Sequence, residues 1–307
     1  MNESAANQQD SRTGTGTGME RVALGTAQFG LEYGVSNKSG QTSLSHAAMI
    51  VRDARQAGCR TIDTAIAYGQ SETRLGEIGV QDWDVVSKLP AFPAECTDIG
   101  AWASAQVAGS LERLGIRKLD TLLLHAPVQL SGPRGPELVR ALRQVKELGM
   151  TRRLGISVYS PEELGLAIAA FPVEVVQAPF NVIDRGLETS GWASRLVDQG
   201  VEIHLRSAFL QGLLLMDEGA RPAFFAAWQP LWGLWHQWLH DQGTSALEAS
   251  LSFVLSRPFA SRVVVGVTSP QQLGEVLVAA RAPAVHPPDA LRCDAPGLIN
   301  PSQWKIK

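Results

Sequence analysis

The sequence predicts a single-domain α/β fold, a closed (β/α)8 barrel of parallel strands with helices outside. Two observations predict it. From residue 20 onward, short apolar runs alternate eight times with amphipathic segments of helical period. The runs are continuous stretches of β-branched and aliphatic residues, the pattern of strands covered on both faces, and parallel strands need crossover helices to connect them. An open doubly wound sheet is the structural alternative. Against it, GTAQFG after the first strand is not followed by a GxGxxG turn into a helix.

In order, the predicted strands are RVALGTAQ (21–28), CRTIDTA (59–65), DVVSKL (84–89), TLLLHAP (121–127), RRLGISV (152–158), VEVVQAPF (173–180), VEIHLRSAF (201–209) and RVVVGVT (262–268). Helical patterns lie between them at 45–58, 72–79, 101–115, 135–149, 161–171, 191–200, 245–256 and 270–280. Several end in Gly, the residue that tolerates the left-handed position after a helix. The barrel domain is expected over residues 19–293. Residues 1–18 are rich in Ser, Gln, Asn, Gly and Thr without an apolar stretch, so a disordered tail is expected there rather than a secretory signal, with Met19 as a possible start. The tail 294–307, punctuated by Pro and Gly, is expected to wrap the barrel or cover a pocket.

Composition narrows the function classes. A chain of 307 residues, 45% hydrophobic, can bury a full barrel core. Its 27 basic and 30 acidic residues give a net charge of −3, no field for nucleic acid or an anionic membrane. No run approaches the ~20 apolar residues of a bilayer span. Cys59, Cys96 and Cys293 are odd in number and unsuited in spacing to a disulfide framework or a zinc site, so a reducing cytoplasm and no metal are expected. A small neutral or mildly charged substrate is the expected partner. The oligomeric state is not legible.

Four stretches, LGTAQFG (24–30), TIDTAIAYG (61–69), VVSKLP (85–90) and LLLHAP (122–127), read as placing an Asp, a Tyr, a Lys and a His at four separate strand ends. Catalytic residues of parallel barrels sit at that position. Singly, Asp63 reads as a helix cap or turn former, Tyr68 as half-buried packing and His125 as a core histidine. Together they form an acid–base set. A free phenol titrates near ~10, too high to exchange protons near neutrality, and an ammonium about 4 Å away could lower that value by a few units. Lys88, held charged by Asp63, would tune Tyr68. His125 could orient a substrate carbonyl. This set contains no electron donor, so something else must deliver the electrons.

These residues resemble the catalytic tetrad of the aldo-keto reductase superfamily, Asp, Tyr, Lys and His in this chain order, with Asp63-x4-Tyr68-Gly69 followed by Ser71-Glu72. The resemblance covers about residues 20–281. It implies a TIM barrel that binds a nicotinamide cofactor at the C-terminal ends of the strands and transfers hydride to an aldehyde or ketone without a metal. It also implies that Tyr68 is general acid in reduction and general base in oxidation, that Asp63 and Lys88 tune it, and that His125 orients the carbonyl. The opening LGTAQFGLEYGVSN is similar to bacterial members of sugar or polysaccharide metabolism, which implies a sugar-like carbonyl substrate.

The resemblance further implies cofactor contacts from Gly25 and Thr26, from Ser157 and Gln177 at the carboxamide, and from Arg206, Ser207 and Phe209 after the seventh strand. Gly266, Thr268, Ser269, Gln272 and Glu275 match the segment that grips the adenosine end. This chain departs from the family pattern at several stations. Val158 stands where an Asn usually follows the serine. Arg206-Ser207-Ala208-Phe209 replaces the usual Tyr and Ser-Pro-Leu, so Arg206 would have to stack through its planar guanidinium. Gln272 and Val276 stand where an Arg and an Asn are common, and no Lys or Arg lies between Gly266 and Ala280. The family favours NADPH; these residues leave NADH open.

Trp228, Trp232, Trp235 and Trp238 recur at helical spacing and are expected to bury one helix face, with one of them or Phe29 a candidate for the pocket wall. Tyr33 and Asn37 follow the first strand at the expected barrel mouth, either in a substrate loop or in a plain turn. Two other functions stay open: a cofactor-sensing protein that works through a partner, and an isomerase or lyase on the same barrel.

Overall fold

The computed structural model describes residues 18–305. Its eight strands are β1 (Val22–Gly25), β2 (Thr61–Asp63), β3 (Asp84–Leu89), β4 (Leu119–Leu124), β5 (Thr151–Ser157), β6 (Val175–Pro179), β7 (Glu202–Arg206) and β8 (Arg262–Gly266). Each pairs in parallel with the next, and β8 closes on β1, making the predicted barrel. Most strands are shorter than their apolar runs. GTAQ, for example, leaves β1 at Gly25 and turns into the short helix Ala27–Gly30, which buries Phe29 outside the barrel. Of the tail expected over residues 1–18, residues 1–17 lie outside the described residues, and Gly18 opens the 3-10 turn Gly18–Arg21.

Helices Leu44–Gln56, Ser71–Ile78, Ile99–Leu114, Gly135–Glu147, Pro161–Ala170, Trp192–Asp198, Ala246–Leu255 and Pro270–Ala279 match the expected crossover patterns. Their starts carry the expected chemistry. Asp98, Ser160, Ser245 and Ser269 each accept a backbone N–H of the first turn, and Ser245 with Glu248 completes a capping box. The apolar faces of these helices and the outward faces of the strands form the main core.

Inside the barrel the layering follows the two-residue period of a strand. Val86, Leu123 and Val175 form a separate, fully buried apolar plug. Gly155 completes it, because a Cβ there would collide with the Val175 carbonyl and the Leu123 side chain. Two residues further along the same strands come Lys88, His125 and Gln177, so the plug floors the polar layer. At the opposite end Arg153 pairs with Asp120 and Glu202 (2.6 Å each).

Of the four tryptophans expected to bury one helix face, two do so; Trp238 is half-buried, and Trp228 ends the 3-10 turn Ala223–Trp228 before the helix. Trp232 and Trp235 on helix Gln229–Gln242 are buried and donate to the carbonyls of Phe225 (3.2 Å) and Leu214 (3.0 Å). The C-terminal segment wraps the barrel beside them, with Leu298 buried and Trp304 edge-on to Phe225 at 5.0 Å.

Candidate active site

Asp63 is the last residue of β2, Lys88 lies one residue from the end of β3, and His125 directly follows β4. Tyr68 stands five residues after Asp63 in the same loop, so three strands supply the four groups. This corrects the reading of four separate strand ends: TAIAYG is not a further strand but the loop that brings Tyr68 back over the barrel mouth.

The loop is held by close backbone approach. Gly69 adopts φ +54°, and Gly30 packs so tightly on the Tyr68 carbonyl that a Cβ there would overlap the oxygen. Gly30→Ala must therefore push the Tyr68 loop outward. The expected result is a loss of about 1–3 kcal/mol of stability with a larger proportional loss of activity. Thermal melts and steady-state rates check it; wild-type values for both would contradict the contact.

Beneath Tyr68 runs a buried chain of hydrogen bonds. Lys88 Nζ donates to Asp63 Oδ1 (2.6 Å) and to the Thr64 carbonyl (2.8 Å). Gln177 on β6, on the opposite side of the barrel, donates through Nε2 to Asp63 Oδ2 (2.6 Å) and accepts from Ser157 Oγ (3.3 Å). Both Asp63 oxygens are engaged, and Lys88 is only 1% exposed. A buried lysine persists in this form because its partners replace the water it has lost. The Lys88 ammonium lies 5.1 Å from the Tyr68 ring centroid, and the His125 ring stands edge-on to Tyr68 at 5.9 Å.

The electrostatics differ from the sequence expectation at one point. Desolvation, followed by the charge of Asp63, pushes the Tyr68 phenol well above its ordinary value, while Arg206 pulls it down. Lys88 and Asp63 form a pair without net charge, and Arg206 is the cation that eases proton release. Burial lowers the Lys88 ammonium, with Asp63 acting in the opposite direction. His125 is lowered to about 4, first by burial and then by Lys88 and Arg206. Its imidazole is neutral at pH 7, a state suited to hydrogen-bonding a carbonyl.

A cavity of about 370 Å³ opens at this end of the barrel. Of the expected cofactor residues, Gly25, Thr26, Gln177, Arg206, Ser207, Phe209, Gly266, Thr268, Gln272 and Glu275 line it, together with Asp63 and Tyr68. Ser157 and Ser269 do not. Ser157 lies behind Gln177, and Ser269 caps helix Pro270–Ala279 by accepting from Gln272 N (3.2 Å). Thr26 is almost fully buried and braces Asp63, its Oγ1 donating to the Asp63 carbonyl (3.0 Å) and accepting from Ser71 Oγ (3.0 Å). Gln272 folds back, its Oε1 accepting from Thr268 N (2.8 Å) and Thr268 Oγ1 (3.0 Å). Neither Phe29 nor the tryptophans line the cavity.

Glu72, quoted with the motif, is structural. Buried, it accepts from Ser87 (2.7 Å), Ser110 (2.6 Å) and Arg113 (2.6 Å), tying helix Ser71–Ile78 to β3 and to helix Ile99–Leu114.

Sequence reasoning left several wall residues unassigned. Tyr33 and Asn37 do line the cavity, and Lys38, Gln28 and Gln211 join them. The loop carrying Tyr33–Lys38 docks on the loop after β7: Val35 N donates to the Gln211 carbonyl (3.0 Å) and Gln211 Nε2 to the Tyr33 hydroxyl (3.1 Å). In that second loop Ser207, Leu210 and Gln211 adopt φ of +59°, +48° and +54°. Such strain in non-glycine residues clusters at binding sites. The signal available in the sequence was the loop length; the contact itself is tertiary.

Among the described residues no cluster of three or more His, Cys, Asp or Glu is arranged to hold a metal, and no helix is long and apolar enough to cross a membrane. The three cysteines are free thiols.

Comparison with known proteins bears on the family and the fold. A curated relative, aldo-keto reductase YhdN of Bacillus subtilis (strain 168), is 28% identical over 187 residues, covering 57% of this chain and 54% of that protein. Another, 2,5-diketo-D-gluconic acid reductase B of Corynebacterium sp. (strain SHS752001), is 29% identical over 168 residues, covering 48% and 57%. In these alignments the chain spans about half the length of the curated relatives it matches. The solved holo form of aldo-keto reductase AKR11C1 from Bacillus halodurans shares the fold, with a TM-score of 0.69 at 20% identity over 87% of this chain and 88% of that one. The sequence profile of the Aldo/keto reductase family matches residues 21–289, and the chain belongs to that family.

Proposed function

We propose that this chain is a nicotinamide-dependent oxidoreductase that reduces the carbonyl group of a small, sugar-like compound, with Tyr68 as general acid. The observation that carries this reading is the buried Gln177–Asp63–Lys88 chain beneath Tyr68, at a cavity whose wall runs from Tyr68 to Gln272 and Glu275. The relative named 2,5-diketo-D-gluconic acid reductase B supports a sugar-like substrate.

The residues present suit a dinucleotide. Gly25 and Gly266 keep the cavity wall open, since a Cβ at Gly266 would meet the Gln28 amide. Arg206 and Lys38 bring positive charge, while Ser207, Thr268 and Gln272 bring neutral polar groups. The reduced nicotinamide would supply the hydride. Tyr68 holds its proton throughout the neutral range because its phenol is desolvated. It hands that proton to the carbonyl oxygen as negative charge develops there, a contribution typically worth 10²–10⁴-fold. His125, neutral, donates a second hydrogen bond to the same oxygen and fixes the carbonyl plane. Lys88 cancels the Asp63 charge that would otherwise oppose phenolate formation. In the oxidative direction Tyr68 takes the alcohol proton.

The test is a fluorescence titration with NADPH and NADH separately, followed by a panel of carbonyl compounds with the better cofactor. Binding with turnover supports the reading. Binding without turnover of any carbonyl favours a cofactor-sensing protein, and substrate conversion without cofactor oxidation favours an isomerase or lyase.

Cofactor choice carries its own prediction. With Gln272 in place of a cation at the adenosine end, NADPH and NADH should bind with similar affinity. Gln272→Arg is expected to strengthen NADPH binding by about 1.5–3 kcal/mol, the range for hydrogen bonds to charged groups, with NADH nearly unchanged. Strong wild-type preference for NADPH, or an equal gain for both cofactors, would contradict this placement of the phosphate.

A further inference from the structure

Arg206 ends β7 and faces the cavity with Asp63, Tyr68 and Gln177. Its guanidinium is fixed from behind by neutral groups. Nη2 donates to the Val158 carbonyl (2.9 Å) and Nη1 to Ser207 Oγ (3.3 Å), and the guanidinium carbon sits 4.3 Å from the centroid of the Tyr159 ring. Among the described residues no carboxylate forms an ion pair with it. Asp63 is already neutralised by Lys88. Asp184, on which Arg206 acts through space, is buried, and its carboxyl is pushed up to about 7 by desolvation. The catalytic end of the cavity therefore carries a fixed positive charge that Asp184 offsets only in part.

That charge matters because the nicotinamide ring changes charge during the reaction. This step rests on the function proposed above. For Tyr68 to protonate the carbonyl oxygen while the carbonyl carbon accepts a hydride, ring and substrate must be within about 3–3.5 Å of each other. The ring would then occupy the part of the cavity walled by Tyr68, Gln177 and Arg206. One hydrogen with its electron pair would pass from the ring to the carbonyl carbon and the Tyr68 proton to its oxygen, leaving the ring cationic. Two unit charges about 12 Å apart at an effective dielectric near 20 already change a dissociation constant about tenfold.

We propose that Arg206 makes the site discriminate between the two redox states of the cofactor, holding the neutral reduced ring and expelling the cationic oxidised one. Oxidised cofactor then leaves quickly after each turnover and inhibits weakly. Each tenfold preference for the reduced form also raises the midpoint potential of the bound two-electron couple by about 30 mV. Arg206 in this account is a specificity residue, and dissociation constants read that role separately from its effect on Tyr68.

The experiment measures dissociation constants of NADPH, NADP⁺, NADH and NAD⁺ by quenching of intrinsic fluorescence for the whole chain, wild type, Arg206→Met and Arg206→Lys. The wild type is expected to bind each oxidised form at least about tenfold more weakly than its reduced partner. Arg206→Met should shrink that ratio about tenfold, mainly by tightening the oxidised form, and Arg206→Lys should keep most of it. A wild-type ratio near one overturns the proposal without any variant. So does an unchanged ratio in a folded Arg206→Met, including the case where that variant instead raises KM only for carboxylate-bearing substrates, which would assign Arg206 to a substrate anion. Failure of the wild type to bind any dinucleotide removes the proposed function itself, an outcome separate from binding with the wrong ratio.

Discussion

Tyr68→Phe is expected to lower kcat for carbonyl reduction by about 10²–10⁴-fold, the range for loss of a positioned general acid, and to leave NADPH and NADH affinity within about twofold. The substitution removes one oxygen and keeps the ring that packs against His125 and over Lys88. Cofactor binding is unaffected in this account because the phenolic proton is used in chemistry and not in holding the dinucleotide. Folding should be preserved, since the loop is set by Gly30 and Gly69 rather than by the hydroxyl. Steady-state rates with a saturating carbonyl substrate and a parallel fluorescence titration check both halves. Turnover within a few-fold of wild type would remove Tyr68 from the acid role.

Lys88→Met should damage both stability and activity. Removing one partner of a buried pair typically costs about 3–5 kcal/mol, because the other charge stays behind. Asp63 would keep only the Gln177 amide as a side-chain donor. Its charge, one of the groups that already raise the Tyr68 phenol, would then act without Lys88 to cancel it. The sign follows directly. A higher phenol pKa means that the phenolate required for alcohol oxidation appears only at higher pH, so residual oxidation should shift alkaline relative to wild type. Adding Asp63→Asn to Lys88→Met removes the stranded charge and should recover much of the stability while leaving activity low. A pH profile unchanged in Lys88→Met, or activity restored by the second substitution, would remove Lys88 from its electrostatic role.

The fold was legible because eight continuous apolar runs, each followed by a helical period, leave few alternatives to a closed parallel barrel. Strand boundaries were less legible, because residues such as Ala27, Phe29 and Phe180 are buried whether or not they pair in the sheet. The tetrad was legible by chain order, but the position of Tyr68 was not. Its loop depends on the Gly30 contact with the Tyr68 carbonyl, 38 residues away in sequence. The partners of Asp63 were legible only in part. Lys88 lies on the neighbouring strand, whereas the Gln177 bond spans the barrel and is set by closure of the sheet.

The adenosine segment could be matched by position, yet the cavity there is shared with Lys38 and Gln211 from two loops whose docking is tertiary. The charge balance at Tyr68 was also hidden. The Lys88–Asp63 pair was legible, but not that Arg206, from the far side of the barrel, is the cation that acts on Tyr68. Composition alone assigned none of these contacts, because each depends on which side chains close the barrel brings together.

In the proposed reaction this cavity passes hydride to a carbonyl carbon while Tyr68 passes a proton to its oxygen. The most direct measurement uses reduced cofactor carrying deuterium on the transferable side of nicotinamide C4, incubated with the enzyme and the best compound from the carbonyl panel. The account predicts one deuterium on the new carbinol carbon of the alcohol, in proportion to cofactor oxidised, and almost none with Tyr68→Phe. Cofactor that binds in the cavity while its deuterium never reaches the product, or transfer that survives unchanged in Tyr68→Phe, would contradict it.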